Sequence, residues 1–153
     1  AYRDIPARQI PVVEPAAGVK AKVIAGTLAH GGTKTAGPIS GLSTDPRYID
    51  FHLEPGAVYD APVPKGHNAF VYVYEGDALI GPERKPVPHR AAGLLSDGEG
   101  VRIEAGKAGA RLLLLAGKPI GEPIVQYGPF VMNTREEIDQ AIADYQTGTL
   151  AEA

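Results

Sequence analysis

Residues 53–81 read LEPGAVYDAPVPKGHNAFVYVYEGDALIG, and this stretch decides the fold because a turn, an apolar strand and a reversal of the chain follow one another without a break. Residues 69–74 are rich in β-branched and aromatic side chains, and both alternating faces are apolar, which is typical of a strand covered on both sides. The EGD sequence at residues 75–77 predicts a tight turn, after which residues 78–80 return as the second strand of a hairpin. The stretch therefore predicts a core strand and a hairpin, with His67 at the mouth of the strand.

The chain on either side of this hairpin predicts further strands. Residues 19–25 and 47–53 each alternate between an apolar face and a polar face, as half-buried strands do. Three more apolar segments, punctuated by glycine, are strand candidates: residues 94–95, 101–103 and 110–116. Many short strands with turn signals between them indicate an all-β sandwich or barrel.

The connecting segments are rich in turn-forming residues. Glycine, threonine and serine dominate residues 26–45, which predict a long loop or an irregular hairpin. Residues 82–89 carry three prolines and two basic side chains, so we expect a solvated surface loop there rather than a binding patch.

The two ends of the chain differ from the middle. Prolines at positions 6, 11 and 15 exclude a continuous helix, so residues 1–18 predict an extended arm. Residues 134–137, TREE, have the form of a capping box, apolar residues follow at helical spacing, and Gly148 supplies a stop. The predicted organisation is an arm at 1–18, a barrel at 19–132 and a helix at 133–148.

Composition narrows the functional classes. The 153 residues carry 15 basic and 18 acidic side chains, a net charge of -3, which gives no electrostatic footprint for direct nucleic-acid binding. The absence of cysteine excludes disulfides, thiolate metal sites and a cysteine nucleophile, and it fits a reducing compartment. No apolar run reaches membrane-spanning length and the first residues have no signal-peptide core, so we expect a cytoplasmic protein with no membrane partner.

Three phrases of the sequence carry a family resemblance. They are QYGPFVMNTREEI at 126–138, GHNAFVYV at 66–73 and DYQ at 144–146. With them, the chain resembles the carboxy-terminal half of the pirin family, within the cupin superfamily, from about residue 10 to its end. The resemblance implies a cupin-type double-stranded β-helix barrel, or jelly roll, with one C-terminal α-helix.

The same resemblance implies that the two cupin domains of a pirin have different roles. Pirins are two-cupin chains in which the amino-terminal cupin binds one iron through three histidines and a glutamate. Some act as quercetin 2,3-dioxygenases, and in eukaryotes some are nuclear cofactors of transcription. This chain is then the second cupin without the first, since the histidine-rich iron motif of the first half is nowhere in its sequence.

The cupin ligand pattern, laid on this chain, retains one donor. The slots fall on His67, Ala69, Val73 or Tyr74, and Gly109, whereas a divalent ion needs three or four converging donors. We therefore predict no catalytic residue, no metal ligand and no cofactor in this domain. A residual site at the barrel mouth would consist of His67 and Glu75, which share a face if the strand is regular.

Aromatic residues offer a second kind of site. Tyr72 and Tyr74 are candidates for a pocket that takes a flat phenolic ligand, although aromatic side chains in strands more often serve packing.

Three functional hypotheses follow. The first is a metal-free domain that acts as the structural and interaction half of a two-cupin protein, partnered by a pirin-like amino-terminal cupin or, in isolation, by a second copy. The second is a self-contained non-haem dioxygenase acting on flavonol-like substrates, with His67 joined by unorthodox donors such as Glu75 or His52. The third is a regulatory barrel that binds a small molecule.

Overall fold

A computed structural model of the chain describes residues 4–151. The described residues form two compact units, which divide between Pro119 and Ile120. In the first unit a short 3-10 turn precedes ten strands: Ala7–Gln9 for the turn, then β1 Val12–Ala16, β2 Val19–Ala25, β3 Thr27–His30, β4 Thr33–Ala36, β5 Arg47–Leu53, β6 Val58–Pro62, β7 Asn68–Ile80, β8 Lys85–Val87, β9 Ala91–Leu94 and β10 Gly100–Gly117. The second unit contains β11 Val125–Tyr127, β12 Phe130–Met132 and the helix α1 Arg135–Thr147.

Strand β10 connects the barrel because its two halves pair with different neighbours. Residues 110–116 pair with β5, and residues 100–104 pair with β6. Both halves also pair with β7, which accompanies β10 along most of its length. The eight-stranded sheet runs β1-β2-β5-β10-β7-β8, with β6 attached to β10 and β9 attached to β7. All these pairings are antiparallel, and the predicted all-β barrel is confirmed.

The core lies between the inward faces of these strands. Alternate residues of β2 are buried as predicted, and on β5 the predicted apolar face is buried together with Asp50 of the polar face. The inward residues of β7 and β10 complete one continuous hydrophobic cluster, which includes Val71, Val73, Leu112 and Leu114. On β7 only one face is buried, whereas the sequence predicted cover on both faces.

The predicted turn at residues 75–77 is wrong. Strand β7 continues through these residues to Ile80, and the chain reverses afterwards, at residues 81–84. Gly76 forms part of a β-bulge instead, and its φ is +70°. Ala110 of β10 pairs with Gly76, whereas the next paired residue of β10 is Ala105, which pairs with Ala78. Gly76 packs so closely on the Gly109 carbonyl that a β-carbon would collide with it. A positive-φ glycine inside a strand is a bulge signal as well as a turn signal, and tertiary pairing decided between them.

Other strand predictions need smaller corrections. Residues 101–103 and 110–116 belong to one strand, β10, rather than two. The predicted surface loop at 82–89 contains the short strand β8, and β6 was not predicted. Within residues 26–45, β3 and β4 form the irregular hairpin that was one of two alternatives.

The predicted arm is extended but not free. Strand β1 pairs with β2 at the edge of the sheet, and residues 1–3 of the predicted arm lie outside the described residues. The predicted barrel boundary at residue 132 differs from the structure, because residues 120–132 belong to the second unit.

The C-terminal helix is confirmed with its caps. Thr134 and Glu137 form the capping box, and Gly148 ends the helix in the left-handed conformation with φ +79°. Within the second unit the Phe130 and Tyr145 rings meet at 6.3 Å between centroids. None of the helices in residues 4–151 has the length and hydrophobicity needed to cross a membrane.

Candidate functional site

The barrel interior is hydrophobic where cupin metal ligands are expected. Ala69 and Val73, which occupy two of the ligand slots, are buried members of the hydrophobic cluster. Gly109, a third slot, has φ +84° and no side chain, and its place in the β10 bulge explains the glycine. Within residues 4–151, no three His, Asp or Glu side chains are grouped so that they could hold a metal ion. The residues present do not fit iron.

His67 occupies the one slot that retains a donor, and one of its two ring nitrogens already contacts Asp45. The side chain is only 2 % exposed, and its Nε2 atom lies 3.2 Å from the Asp45 carbonyl oxygen and 3.4 Å from Asp45 Oδ2. Both partners are acceptors, so Nε2 carries a hydrogen. Nδ1 is buried and meets no protein hydrogen-bond partner.

Asp45 is held in place by its neighbour. Arg47 donates to both carboxylate oxygens of Asp45, at 2.6 and 3.1 Å. This hydrogen bond, with the guanidinium charge, holds the pKa of Asp45 below its usual value although desolvation opposes the change. The carboxylate next to His67 is therefore ionised at neutral pH.

Glu75 does not join His67. A bulge in β7 leaves Tyr74 unpaired, because Val73 pairs with Leu112 and Glu75 pairs with Arg111. The extra residue reverses the facing of Glu75, which is exposed and lies 3.3 Å from Arg111. Glu75 and His52 line one cavity, of about 490 Å³, whereas His67 lines another. The predicted residual site and the donor set of the dioxygenase hypothesis are not assembled.

The two tyrosine candidates lie on the outer face of the sheet. Tyr74 donates to Asp50 Oδ1 at 2.7 Å, and its hydroxyl oxygen lies 3.0 Å from Nε2 of His52. Burial, and then the hydrogen bond to Asp50, raise the pKa of Tyr74 above its usual value. Tyr72 stands on the same face without a part in these contacts, so the two rings do not form a shared pocket.

Asp50 is a site residue that the sequence analysis missed, and the analysis considered His52 only as a donor beside His67. Asp50 is only 8 % exposed, and its Oδ2 lies 3.1 Å from His52 Nε2 and 3.4 Å from Lys22 Nζ. The alternation of Asp50 and His52 along β5 was a usable signal, because residues i and i+2 share a face. The sequence did not show that Tyr74 lies close to Asp50 and His52. This contact depends on β10 pairing between β5 and β7 and on the bulge at Tyr74.

Beside this polar network lies a hydrophobic surface that we call the outer apolar patch. Its members stand on β5, β7, β9 and β10: Tyr48, Phe70, Tyr72, Leu94, Leu113 and Leu115. Direct cross-strand pairs connect them, since Leu115 pairs with both Tyr48 and Phe70, and Phe70 pairs with Leu94. Leu94 is 89 % exposed and Phe70 is 37 % exposed. The sheet therefore presents a second apolar face outside the core.

The sequence profile of the pirin C-terminal cupin domain matches residues 48–151, more than half of the chain. The chain belongs to the pirin family. A Pseudomonas aeruginosa protein that carries the provisional name quercetin 2,3-dioxygenase is 48 % identical over 154 residues, covering 98 % of this chain and 53 % of that protein. A pirin-like protein of Caulobacter vibrioides is 43 % identical, covering 96 % of this chain and 51 % of its own length.

Structural similarity agrees with the pirin assignment. The crystal structure named quercetin 2,3-dioxygenase from Acinetobacter baumannii superposes with a TM-score of 0.83 at 31 % identity, over 99 % of this chain and 51 % of that one. The predicted cupin barrel with a C-terminal helix is thereby confirmed. This pirin chain spans about half the length of the relatives it matches.

Proposed function

We propose that this chain is the metal-free cupin domain of a two-cupin pirin protein, and that it serves as the docking partner of the amino-terminal, iron-bearing cupin. In this proposal any quercetin dioxygenase-like or regulatory chemistry takes place on the other half. The domain itself contributes no catalytic residue and no cofactor. We also propose a cytoplasmic location, supported by the absence of cysteine.

The observation that carries the proposal is the outer apolar patch. The inward faces of the same strands are already packed in the core, so these side chains add nothing to the core of this unit. Exposed apolar patches with a polar border mark interaction surfaces. Here the border includes Asp50 and His52 on β5 and Arg111 on β10, beside the patch in the same sheet.

The length of the relatives supports an amino-terminal cupin as the occupant of the patch. Relatives that match nearly all of this chain are about twice as long, and the resemblance places another cupin in the remaining half. In isolation we expect a second copy of the chain to take its place, because apolar surface of this kind associates in water.

The dioxygenase alternative has weaker support. His67 is the only histidine near its expected slot, and its Nε2 atom is turned to Asp45. Glu75 and His52 line a different cavity, so the donors of this hypothesis do not converge on His67. A divalent ion needs three or four donors, and no three His, Asp or Glu side chains of residues 4–151 are grouped to supply them.

The decisive experiment is capture of the other half. This chain, carrying an affinity tag, is co-expressed with the amino-terminal cupin of the Pseudomonas aeruginosa relative, and the captured material is quantified. We expect the two halves to co-purify. Leu94→Asp should reduce recovery of the partner at least tenfold, because the carboxylate would be buried without a counter-charge.

Leu42→Asp is the matched control, since Leu42 is 54 % exposed but lies in the loop before β5, outside the patch. This variant should recover the partner as the unmodified chain does. Equal recovery with Leu94→Asp, or no co-purification of the unmodified chain, contradicts the proposal. Light scattering of the chain alone adds a check: Leu94→Asp should shift a self-associated species to monomer.

A further inference from the structure

Strand β9 is an edge strand without the usual protection against pairing with a further strand. As far as residues 4–151 describe the eight-stranded sheet, four of its strands pair on one side only: β1, β6, β8 and β9. An edge strand presents unpaired backbone N–H and C=O groups, and proteins usually protect it with charged residues, proline or a bulge. The sequences of the four edge strands can therefore be compared for these features.

Three of the four edge strands carry such protection. Each of β1, β6 and β8 contains one charged residue and one proline: Glu14 and Pro15, Asp60 and Pro62, and Lys85 and Pro86. Strand β1 also contains an irregularity, because its register with β2 shifts between Val13 and Ala16. Strand β9 reads AAGL at residues 91–94, has neither a charge nor a proline, and pairs with β7 in continuous register. Of these four edges, β9 is the one open to another strand.

The hydrogen-bond pattern shows which backbone groups of β9 are free. In an antiparallel pair, alternate residues direct their N–H and C=O groups to the partner strand, and the residues between them direct these groups away. The Leu95 amide donates to the Ala69 carbonyl at 3.0 Å, in the same register as the pairing of β9 with β7. Gly93 therefore faces β7, whereas Ala92 and Leu94 direct their backbone groups away from it. In the part of the chain that the structure describes, β9 pairs with no strand on that side.

The open edge is continuous with the outer apolar patch. Ala92 and Leu94 are both exposed and share one face of β9, where Leu94 pairs with Phe70 of the patch. Gly93 faces the other way, since a β-carbon on it would lie 3.1 Å from a Val87 methyl group and 3.3 Å from one of Val71. A strand added to β9 would therefore extend the sheet and bring its own side chains beside the patch.

We propose that the amino-terminal cupin docks by adding an extended segment to the edge of β9, with backbone hydrogen bonds to Ala92 and Leu94. This inference rests on the docking function proposed above, and it identifies the strand that holds the partner. In strand addition, main-chain hydrogen bonds supply affinity and alternate side chains supply specificity. The added segment therefore has apolar side chains on the face of the patch and no proline at the positions that pair.

The first test is a substitution that changes the backbone of β9. Ala92→Pro removes the outward N–H group without removing a hydrogen bond to β7. In the co-purification with the amino-terminal cupin of the Pseudomonas aeruginosa relative, recovery of the partner should fall about 5- to 10-fold, the effect of roughly one hydrogen bond. Ala92→Thr is the matched control, because threonine keeps the N–H group and favours strands, and it should recover the partner as the unmodified chain does. Urea denaturation checks that both variants are folded.

Amide hydrogen exchange, followed by NMR, is a second readout that needs no variant. In the chain alone, at a concentration where light scattering shows a monomer, the amides of Ala92 and Leu94 should exchange faster than that of Gly93. In the complex these two amides should slow at least roughly tenfold, because they become hydrogen-bonded. The Val12 amide is the control: it faces away from β2 at the opposite edge of the sheet, and it should stay fast.

The outcomes distinguish strand addition from docking. If the unmodified halves do not co-purify, both proposals fail. If they co-purify and Leu94→Asp prevents this, docking stands, and strand addition is then decided separately. Recovery of the partner by Ala92→Pro at the level of Ala92→Thr, or fast exchange of the Ala92 and Leu94 amides in the complex, would overturn strand addition alone.

Discussion

The environment of Tyr74 shows how one hydroxyl can organise a polar network on the outside of a sheet. Its O–H group binds Asp50, an almost buried carboxylate, and contacts His52. Asp50 also approaches Lys22 at 3.4 Å, so its charge is compensated from two strands. A carboxylate this far from water depends on such partners.

Tyr74→Phe removes one of these partners without changing the ring. We expect the free energy of unfolding, measured by urea denaturation at neutral pH, to fall by about 1–3 kcal/mol because Asp50 is left short of a donor. Tyr72→Phe is the control on the same face of β7, and it should change stability by well under 1 kcal/mol. Equal losses in the two variants would contradict the assigned role of Tyr74.

The raised pKa of Tyr74 predicts the response to alkaline conditions. Because the folded state holds this proton more tightly than the unfolded state, whose reference value is 10.0, the resulting stabilisation is complete below about pH 10. It is lost as pH rises further. Urea denaturation between pH 9 and 11, on the order of one unit either side of that reference, should show a steeper loss in the unmodified chain than in Tyr74→Phe.

At the residue scale, sequence reasoning identified important side chains but did not predict which of them lie together. It singled out His67 and Tyr74, and it placed the apolar residues Ala69 and Val73 in metal-ligand slots, where the structure shows them in the hydrophobic core. It paired His67 with Glu75 because it assumed a regular strand, and the bulge at Tyr74 reversed that facing. A one-residue shift moves every later side chain to the other face, and the sequence carries no mark of where it occurs.

At the scale of elements, the contact between the two bulges of β7 and β10 fixes the barrel. Gly76 and Gly109 both have positive φ, and they meet where the paired strands change register. A β-carbon on Gly109 would lie 2.9 Å from the Leu53 carbonyl oxygen, so three strands converge at this point. The predicted elements were correct wherever alternation alone decides, as in β2 and β5, and wrong at this glycine pair.

Gly76→Ala tests the role of this contact. It combines left-handed backbone strain with a collision against Gly109, so we expect a loss of at least roughly 2–4 kcal/mol in unfolding free energy by urea denaturation. Gly81→Ala is the control, because Gly81 has φ +75° and open space around its missing β-carbon. Its cost should be about 1–2 kcal/mol, the strain alone. Similar losses for both would show that the bulge contact is unimportant.

At the scale of the whole molecule, both units leave large apolar side chains exposed. The first unit packs a continuous core and exposes its outer patch. The second, although only residues 120–153, has several large exposed side chains, among them Ile124 at 80 % and Tyr145 at 70 %. These exposed apolar side chains support the proposed docking function.

The metal-free proposal makes a prediction for the intact chain. Purified without chelators, it should contain much less than one iron per chain, and added Fe²⁺ should not raise its melting temperature. The full-length Pseudomonas aeruginosa relative, treated in the same way, is the comparison. Stoichiometric iron that disappears in His67→Ala would instead favour the dioxygenase hypothesis.

Strand β10 has a consequence for biosynthesis. Each of its partners, β5, β6 and β7, precedes it in the chain, and β6 pairs with β10 alone among the strands of residues 4–151. A nascent polypeptide cannot join these strands until residue 117 has left the ribosome, so we expect co-translational folding to be late and cooperative. Until then the edge of β6 and the apolar inner faces of the strands remain exposed. We therefore expect the nascent domain to bind ribosome-associated chaperones.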